Sequence, residues 1–419
     1  MYGWEKEAEP PEVARKVRLM VFPTGKVGKS VRSEEDVKGA HKQATDAGIK
    51  LPTLDKHGAR IKHTHKRVNC IVVEVDREKE EELKKELEGE GHRVERAQPI
   101  YPLLNDSVPL LQVPPVWNAG YTGKGVKVAV VDTGVDTEHP DLSGKVIATK
   151  DFTGTGYKDD VGHGTHVAGT IAGTGNIYRG VAPDAQIIAA RVLSRWGGYT
   201  DDVLAGISWA ADQGANVINL SLGGPGDPND VLSMECNLLM REGIVVCVAA
   251  GNSGPDPETI GSPGCAELPI TVGAVDKNSK LTFYSSRGPV YDSVTGKTIT
   301  KPDVLACGGG YDPNARCHYD PGITSSKSER MKKSACTLEM GKGREAVKYE
   351  KMSGTSMACP HVAGVAALLL QAMGTLIPTA ESATKIKEVL MITARDIGLS
   401  PNEQGTGIII AEAALSKIS

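Results

Sequence analysis

The sequence predicts an α/β fold for most of the chain, in which a doubly wound, mostly parallel sheet is flanked by helices and preceded by a small α+β domain. Short, nearly unbroken apolar runs, typical of strands buried on both faces, recur at Val126–Val131, Gln186–Val192, Val217–Leu220 and Ile244–Val248. Segments of helical length and spacing separate them, as at 201–213 and 231–242. In such sheets active sites lie beyond the carboxyl ends of the strands, so reactive side chains are expected there.

The amino-terminal part of the chain has a different pattern of short, charged segments. Strands are predicted at Arg18–Phe22, Cys70–Asp76 and about 92–100, and helices at about 33–48 and 77–88. This β-α-β-α-β order is typical of a small α+β domain. The five prolines of residues 99–115 indicate a connecting segment. We therefore expect two domains, residues 1–104 and residues 105–419.

Composition and charge argue against several classes of function. The 419 residues are 40% hydrophobic and 24% charged, which is ordinary for a soluble globular protein. A formal charge of -4 and a pI near 6.2 give no electrostatic reason to expect a nucleic-acid partner. Because no run of about 18 apolar residues occurs, we expect no membrane-spanning segment. Residues 1–12 carry Glu and Pro instead of the apolar stretch of a secretory signal peptide.

The eight cysteines do not make a disulfide-based scaffold in a chain of this length. Cys247 and Cys359 lie among apolar or small residues, which favours buried thiols. Cys307, Cys317 and Cys336 fall in one irregular stretch, which is compatible with a disulfide or with a metal site. Their spacing does not decide between these two alternatives.

Asp132 and His163 are the first candidates for chemistry. Asp132 closes the first predicted strand and precedes a turn, where a carboxylate either orients a neighbouring base or serves as a turn residue. His163 lies between two glycines at a predicted helix start, which exposes its imidazole. His166 lies about one turn later on the same face, but no third metal ligand follows at a useful spacing, and a packing role is favoured.

Ser356 and Asn252 are the other two candidates. Ser356 precedes a predicted helix from Pro360 to about Met373. A hydroxyl at a helix N-terminus lies among free backbone N–H groups that can hold a developing oxyanion, and a simple N-cap is the alternative. Asn252 follows a buried strand among small residues, where its amide either donates into a cleft or forms a turn.

Four segments together resemble the subtilisin-like serine protease (subtilase) family: Val130–Asp136, His163–Gly169, Ala249–Gly254 and Gly354–Gly364. The order Asp, His, Ser along the chain is the order known for subtilisin itself. The resemblance covers about residues 105–415 and implies a subtilisin-like fold and a serine endopeptidase acting on polypeptides. A catalytically dead relative would lack a triad member, and none is missing. An esterase would favour Gly-x-Ser-x-Gly, whereas Ala358 stands where the second Gly would be.

The resemblance also implies the role of each residue. Ser356 would be the nucleophile, His163 the general base and Asp132 its partner, with the Asn252 amide and the Ser356 backbone N–H forming the oxyanion hole. The backbone of Ser221, Leu222, Gly223 and Gly224 would pair with an extended substrate. Ala249, Ala250 and Gly261 would line the first specificity pocket. Because Gly261 has no side chain, this pocket would accept large apolar or aromatic residues before the scissile bond.

Residues 1–104 resemble the folding propeptide of the family, which implies a zymogen whose own propeptide is chaperone and inhibitor. Self-cleavage is expected between Leu104 and Asn105, because Leu104 suits an apolar pocket and residues 105–109 resemble the start of mature relatives; Leu110 and Leu111 are the alternatives. Secretion is usual in the family, but this chain shows no signal peptide, so an intracellular enzyme is the alternative.

The sequence departs from the family at two places. Relatives bind structural calcium through an acidic residue matching Asp141 and a loop that here, at 173–180, lacks Asp and Glu. Structural Ca²⁺ is still the expected metal, with Asp141 as the ligand that remains of this site, and no organic cofactor is expected. Three other acidic pairs are compatible either with calcium or with exposed turns: Asp159 and Asp160, Asp201 and Asp202, and Asp227 and Asp230. An insertion at about 307–351, rich in Lys, Gly and Cys, has no role that its sequence reveals.

Overall fold

The computed structural model describes residues 16–28, 31–32, 36–66, 69–96, 107–175, 177–340 and 346–418. The chain forms two compact units, residues 1–100 and 101–419, and each is described by itself. The predicted cleavage site at Leu104 and Asn105 lies outside the described residues.

The first unit is an antiparallel sheet with helices. Its strands are β1 (Lys16–Phe22), β2 (Val31–Arg32), β3 (Arg60–His65), β4 (Cys70–Asp76) and β5 (Arg93–Arg96), in the order β2-β3-β4-β1-β5. Its helices are α1 (Val37–Asp46), α2 (Leu51–Lys56) and α3 (Glu80–Gly89), with a 3₁₀ turn at Arg77–Lys79. The sequence predicts β1, β4 and β5 but not β2 and β3, because the charged run of β3 hides its two buried residues, Ile61 and Thr64.

The core of this unit lies on one face of the sheet. Leu19 and Val21 of β1 alternate with residues that point to the other face, and both are fully buried. On α3, Leu83 and Leu87 are one helical turn apart and bury the same side of the helix. Alternation in the strands and i, i+4 spacing in the helix therefore build one apolar core.

The second unit is built on a seven-stranded sheet in which every pairing is parallel. The order is β14-β11-β10-β9-β6-β8-β7. These strands are β6 (Lys127–Asp132), β7 (Val146–Asp151), β8 (Gln186–Arg191), β9 (Val217–Leu220), β10 (Val245–Ala249), β11 (Ile270–Val275) and β14 (Val304–Cys307). All residues of β9, β10, β11 and β14 are buried, which explains their unbroken apolar sequences. The predicted α/β fold is confirmed.

Helices cover the sheet. They are α4 (Ser107–Leu110), α5 (Val113–Asn118), α6 (His163–Ala172), α7 (Thr200–Asp212), α8 (Val231–Glu242), α9 (Thr355–Met373), α10 (Ala380–Ile392), α11 (Pro401–Gln404) and α12 (Ala411–Leu415), with a 3₁₀ turn at Pro140–Leu142. The central helix α9 packs on α6 and on five strands of the sheet. By length and composition alone α9 could cross a membrane, but 78% of its apolar stretch is buried inside the protein, as expected for a core helix.

The predicted insertion folds as a small antiparallel sheet of its own. Strands β15 (Ile323–Ser326), β16 (Thr337–Met340) and β17 (Val347–Met352) lie in the order β15-β17-β16; a separate hairpin, β12 (Val290–Tyr291) and β13 (Thr298–Ile299), precedes it. Cys317 and Cys336 form a disulfide, whereas Cys307 is a buried thiol on β14. Cys247 and Cys359 are buried thiols, as expected from their surroundings.

Candidate active site

Asp132 and His163 meet at the carboxyl edge of the parallel sheet. Asp132 is the last residue of β6 and is fully buried, and His163 is the first residue of α6. The Nδ1 atom of His163 lies 2.8 and 3.0 Å from the two carboxylate oxygens of Asp132. The backbone N–H of Thr133 donates to the same carboxylate at 2.7 Å, so the carboxylate is fixed before any substrate binds.

The electrostatics of this pair favour the imidazolium. Burial lowers the pKa of His163, but the charge and the hydrogen bond of Asp132 outweigh burial and raise the pKa above its ordinary value of 6.5. Because Nδ1 donates to Asp132, Nε2 carries the lone pair when the ring is neutral. Nε2 is thus the atom available to accept a proton.

A pH dependence follows from the raised pKa of His163. A general base must be neutral, so kcat/KM is expected to rise with pH as His163 loses its proton, with its midpoint above 6.5. The stability that the imidazolium gains from Asp132 is present at low pH and is lost as pH rises through the raised pKa. The measurement is kcat/KM from about pH 5 to 9. A midpoint below 6.5 would contradict the assignment.

Ser356 lies within the first turn of α9, not before the helix as the sequence predicts. The helix begins at Thr355 and contains Pro360 inside it. Proline has no N–H, so the carbonyl of Ser356 has no donor one turn later. The Ser221 hydroxyl donates to this carbonyl at 2.8 Å instead. The side chain of Ser221, the residue directly after β9, therefore replaces the missing backbone donor and fixes the position of Ser356.

Asn252 is oriented by the start of the same helix. Its side-chain oxygen accepts from the backbone N–H of Thr355 at 2.9 Å and from the Thr355 hydroxyl at 3.0 Å. Since the backbone N–H can only donate, the oxygen must face Thr355, and the amide NH₂ is left for the cleft. The Ser356 hydroxyl donates to the Ser221 carbonyl at 3.2 Å, so it must turn towards His163 to transfer its proton.

Two adjoining cavities contain most of the predicted site residues. A cavity of about 450 Å³ is lined by Leu222, Gly223, Gly224, Ala249, Ala250, Asn252, Gly261 and Ser356. A second cavity, of about 670 Å³, is lined by His163, Ser221, Leu222, Gly223 and Gly224 together with Tyr199, Val203 and Leu232. A side chain at Gly261 would overlap the carbonyl of Gly224, so glycine is required there for the wall of the first cavity to close. The segment 222–224 borders both cavities and runs between them.

The sequence matches the profile of the subtilase family over residues 123–407. The chain belongs to the subtilase family. It is a subtilisin-like serine endopeptidase.

Individual relatives agree with this assignment. Serine protease AprX of Bacillus subtilis is 40% identical over 318 residues, which make up 70% of this chain and 66% of that protein. Subtilisin E of Bacillus subtilis is 33% identical over 382 residues, 88% of this chain and 87% of that protein. A solved protease structure from Pseudoalteromonas arctica is similar with a TM-score of 0.60 and 31% identity, covering 74% of this chain and 94% of that one.

Asp159 is a site residue of this subtilase that the sequence suggests only as a possible calcium ligand. Its buried carboxylate accepts from the N–H groups of Gly162, at 2.7 Å, and Thr165, at 3.0 Å, at the start of α6. It also accepts from the Thr133 hydroxyl at 3.0 Å, beside Asp132. Asp159 thereby joins the elements that carry the Asp132–His163 pair. An Asp shortly before a helix is a capping signal that identifies such a residue.

His166 packs inside the protein, the role that the sequence favours. Its Nε2 lies 2.9 Å from the carbonyl of Ile323. Burial lowers its pKa to about 3, so the ring is neutral at physiological pH. Within the described parts of the chain, no group of three or more His, Cys, Asp or Glu side chains is arranged to hold a metal.

The surroundings of Asp141 do not fit a calcium site. The Tyr349 hydroxyl donates to its carboxylate at 2.8 Å. Burial raises the pKa of Asp141, although the Tyr349 hydrogen bond opposes this. Calcium requires six to eight oxygen ligands. The loop at 174 presents hydrogen-bond donors to Asp141 instead, because the Thr174 N–H and hydroxyl both donate to the backbone carbonyl of Asp141. The predicted role of Asp141 as a metal ligand therefore has no support in the arrangement around it.

Proposed function

We propose that this subtilase hydrolyses peptide bonds through an acyl-enzyme on Ser356, prefers large apolar or aromatic residues before the cut, and is made as a self-processing zymogen. The observation that supports the chemistry is the fixed pair of Asp132 and His163, next to a helix start that holds Ser356 and Asn252 at one cleft. Digestion of denatured casein, abolished by a serine-directed inhibitor, is the basic test.

The proposed reaction uses each group at a stated atom. The Ser356 Oγ attacks the substrate carbonyl carbon while its proton moves to Nε2 of His163, and Asp132 stabilises the resulting imidazolium. The tetrahedral oxygen accepts from the Asn252 NH₂ and the Ser356 N–H, which lies in the first turn of α9, where backbone donors lack helical acceptors. His163 then protonates the leaving amine as the C–N bond breaks. A water molecule then attacks the acyl carbon while His163 takes its proton; the bond between that carbon and the Ser356 oxygen breaks, and His163 returns the proton to this oxygen.

The two cavities support the proposed substrate preference. An extended substrate pairs with the backbone of 221–224, so successive side chains point to opposite sides. The residue before the cut would enter the cavity of about 450 Å³, between Ala249, Ala250 and Gly261. The second cavity offers Tyr199, Val203 and Leu232 to an apolar residue further upstream. Peptide anilides ending in Leu or Phe should be cleaved faster than those ending in Asp or Lys, and equal rates would refute the preference.

Three observations support the zymogen. The first 100 residues form a compact unit of their own. The alignment with subtilisin E covers 88% of the chain. Because residues 105–419 make up only about three quarters of the chain, this alignment must extend into residues 1–104. Shortly after the proposed cut, the Ser107 hydroxyl lies 2.8 Å from Nε2 of His361 on α9, an anchor for a new amino terminus.

The sheet of the first unit has a second face suited to docking. Opposite the core, Met20 of β1 pairs in register with Val72 of β4, and Phe22 follows on the same face. Val72 is buried on that face, and Met20 and Phe22 are partly buried; apolar side chains grouped in this way would suit an interface. The catalytic unit, with its slowly folding parallel sheet, is the proposed partner, and the small unit its template and inhibitor.

Cleavage between Leu104 and Asn105 is a separate prediction. Leu104 would place an apolar side chain in the first pocket, and Tyr101, three residues earlier, would place one in the second; both residues lie outside the described parts of the chain. We expect N-terminal sequencing of the mature enzyme to begin at Asn105. A start well beyond Val113, or an active enzyme that never loses the first unit, would refute this proposal.

Structural calcium, implied by the family resemblance, is a further prediction that does not depend on Asp141. An ion that binds only the folded protein stabilises it by about 2.7 kcal/mol at 100 times its Kd. A chelator should then lower the unfolding temperature, and added Ca²⁺ should restore it. An unchanged unfolding temperature, with no metal found by elemental analysis, would exclude a calcium requirement.

A further inference from the structure

We infer that residues 308–340, the first part of the insertion, form a substrate-binding surface for the residues that follow the scissile bond, and that their exposed aromatic side chains select large apolar or aromatic residues there. This inference rests on the proposed function. It concerns side chains outside both cavities described above, which are lined by other parts of the chain.

One end of the insertion lies against the segment that leads into the nucleophile. The N–H of Gly354, two residues before Ser356, donates to the carbonyl of Gly308 at 3.0 Å. The Tyr284 hydroxyl donates to the carbonyl of Gly309 at 2.6 Å. Strand β17 runs from the insertion directly to Ser353. The beginning of the insertion is thereby fixed beside the helix start that carries Ser356.

The other end of the insertion lies against the segment that leads into the general base. The Met331 side chain packs directly against Gly162, the residue before His163. The Ser328 hydroxyl donates to the Asp159 carbonyl at 2.6 Å, and the Glu329 N–H donates to the Asp136 carboxylate at 2.9 Å. The insertion therefore touches the chain immediately before both reacting side chains.

These contacts indicate on which side of the scissile bond the insertion lies. Substrate residues before the scissile bond are assigned to the two cavities and to segment 221–224 between them. The chain of a bound peptide must leave Ser356 and His163 in the opposite direction. The insertion contacts Gly162 and Gly354, which lead into the two catalytic residues, and it lines neither cavity, so it is placed to meet the leaving-group segment.

An exposed aromatic cluster occupies this surface. Phe283, Tyr311 and Tyr319 are 58%, 46% and 43% exposed. The ring of Tyr311 lies 6.0 Å from that of Phe283 and 6.4 Å from that of Tyr319, centre to centre. Phe283 in turn lies 5.7 Å from Tyr284, which binds Gly309. Exposed aromatic side chains grouped in this way mark binding surfaces, and Tyr284 connects this group to Gly309, next to the contact between Gly308 and Gly354.

The disulfide holds the two ends of this surface together. Cys317 precedes His318 and Tyr319, and its partner Cys336 follows the turn that carries Met331. The ring of His318 stacks on Tyr311 at 6.2 Å. The cross-link therefore ties the aromatic end of the insertion to the end beside His163.

The test compares quenched-fluorescence peptides that share all residues before the scissile bond and carry either Phe or Gly in the three positions after it. We expect the wild type to prefer the Phe peptides about 10-fold in kcat/KM, the scale of discrimination by an apolar site. The double variant Tyr311→Ala/Tyr319→Ala should lose this preference. The double variant Tyr311→Phe/Tyr319→Phe, which keeps the rings, should retain it.

Two controls separate selectivity from general damage. Tyr291→Ala removes a tyrosine that is 64% exposed on β12 and should keep the preference. A peptide anilide has no amino acid after the scissile bond, so all variants should cleave it at the wild-type rate. An unchanged Phe preference in the alanine variant, or a parallel loss on the anilide, would overturn the inference. Failure of the wild type to cleave the anilide would reject the proposed function itself, and this inference with it.

Discussion

Replacing Ser356 by alanine is expected to abolish peptide hydrolysis and to leave the precursor uncut. Among the residues that the structure describes, the hydroxyl makes one hydrogen bond, to the Ser221 carbonyl, and the helix start keeps its bond between Thr355 and Asn252. The variant should therefore fold. The expected loss in kcat is about 10⁶-fold, a magnitude that comes from the same change in subtilisin.

The measurement is hydrolysis of a peptide anilide, together with the mass of the purified chain. Ser416→Ala, which removes an exposed hydroxyl at the end of α12, is the matched control and should behave as wild type. A Ser356→Ala protein that processes itself normally would show that another residue is the nucleophile.

Replacing Asp132 by asparagine is expected to lower kcat about 10⁴-fold with little change in the fold. The asparagine oxygen can still accept from the Thr133 N–H, but its NH₂ group must then face His163 Nδ1. The ring is driven into the tautomer with the proton on Nε2, which can no longer accept the Ser356 proton. The tautomer, rather than the position of the ring, is what the variant changes.

The pH profile of the Asp132→Asn variant gives an independent readout. The Asp132 charge is the cause that raises the pKa of His163 against burial, so its removal should move the acid limb of kcat/KM to lower pH. Glu138→Gln, which removes a largely exposed carboxylate, should leave both kcat and the acid limb unchanged. An acid limb that stays in place in the asparagine variant would show that Asp132 does not control His163.

The catalytic elements of the fold were predictable because their signals are local. Buried parallel strands have continuous apolar sequences, and Asp132 lies at the end of one of them, where function is expected. The start of α9 was not predictable in the same way. Pro360 is typical of a first helical residue, and only the Ser221 hydroxyl, 135 positions away in sequence, explains why the helix extends back to Thr355.

The insertion was the least predictable part. Strand β15 has the sequence Ile-Thr-Ser-Ser and is completely buried, which its polar composition conceals. Its polar groups are satisfied by distant partners, as when the Ser325 hydroxyl donates to the carbonyl of His166 at 2.8 Å. Likewise, the choice between a disulfide and a metal site depends on which cysteines are adjacent, and the fold brings Cys317 to Cys336. Long-range contacts decide both features.

Ser356 is the proposed nucleophile, and covalent labelling tests this role most directly. The mature enzyme is incubated with a fluorophosphonate, digested and mapped by mass spectrometry while residual activity on a peptide anilide is followed. We predict one label per chain, on Ser356, with activity lost in proportion to labelling. A label on a different residue that accompanies inactivation, or full activity after complete labelling of Ser356, would contradict the account.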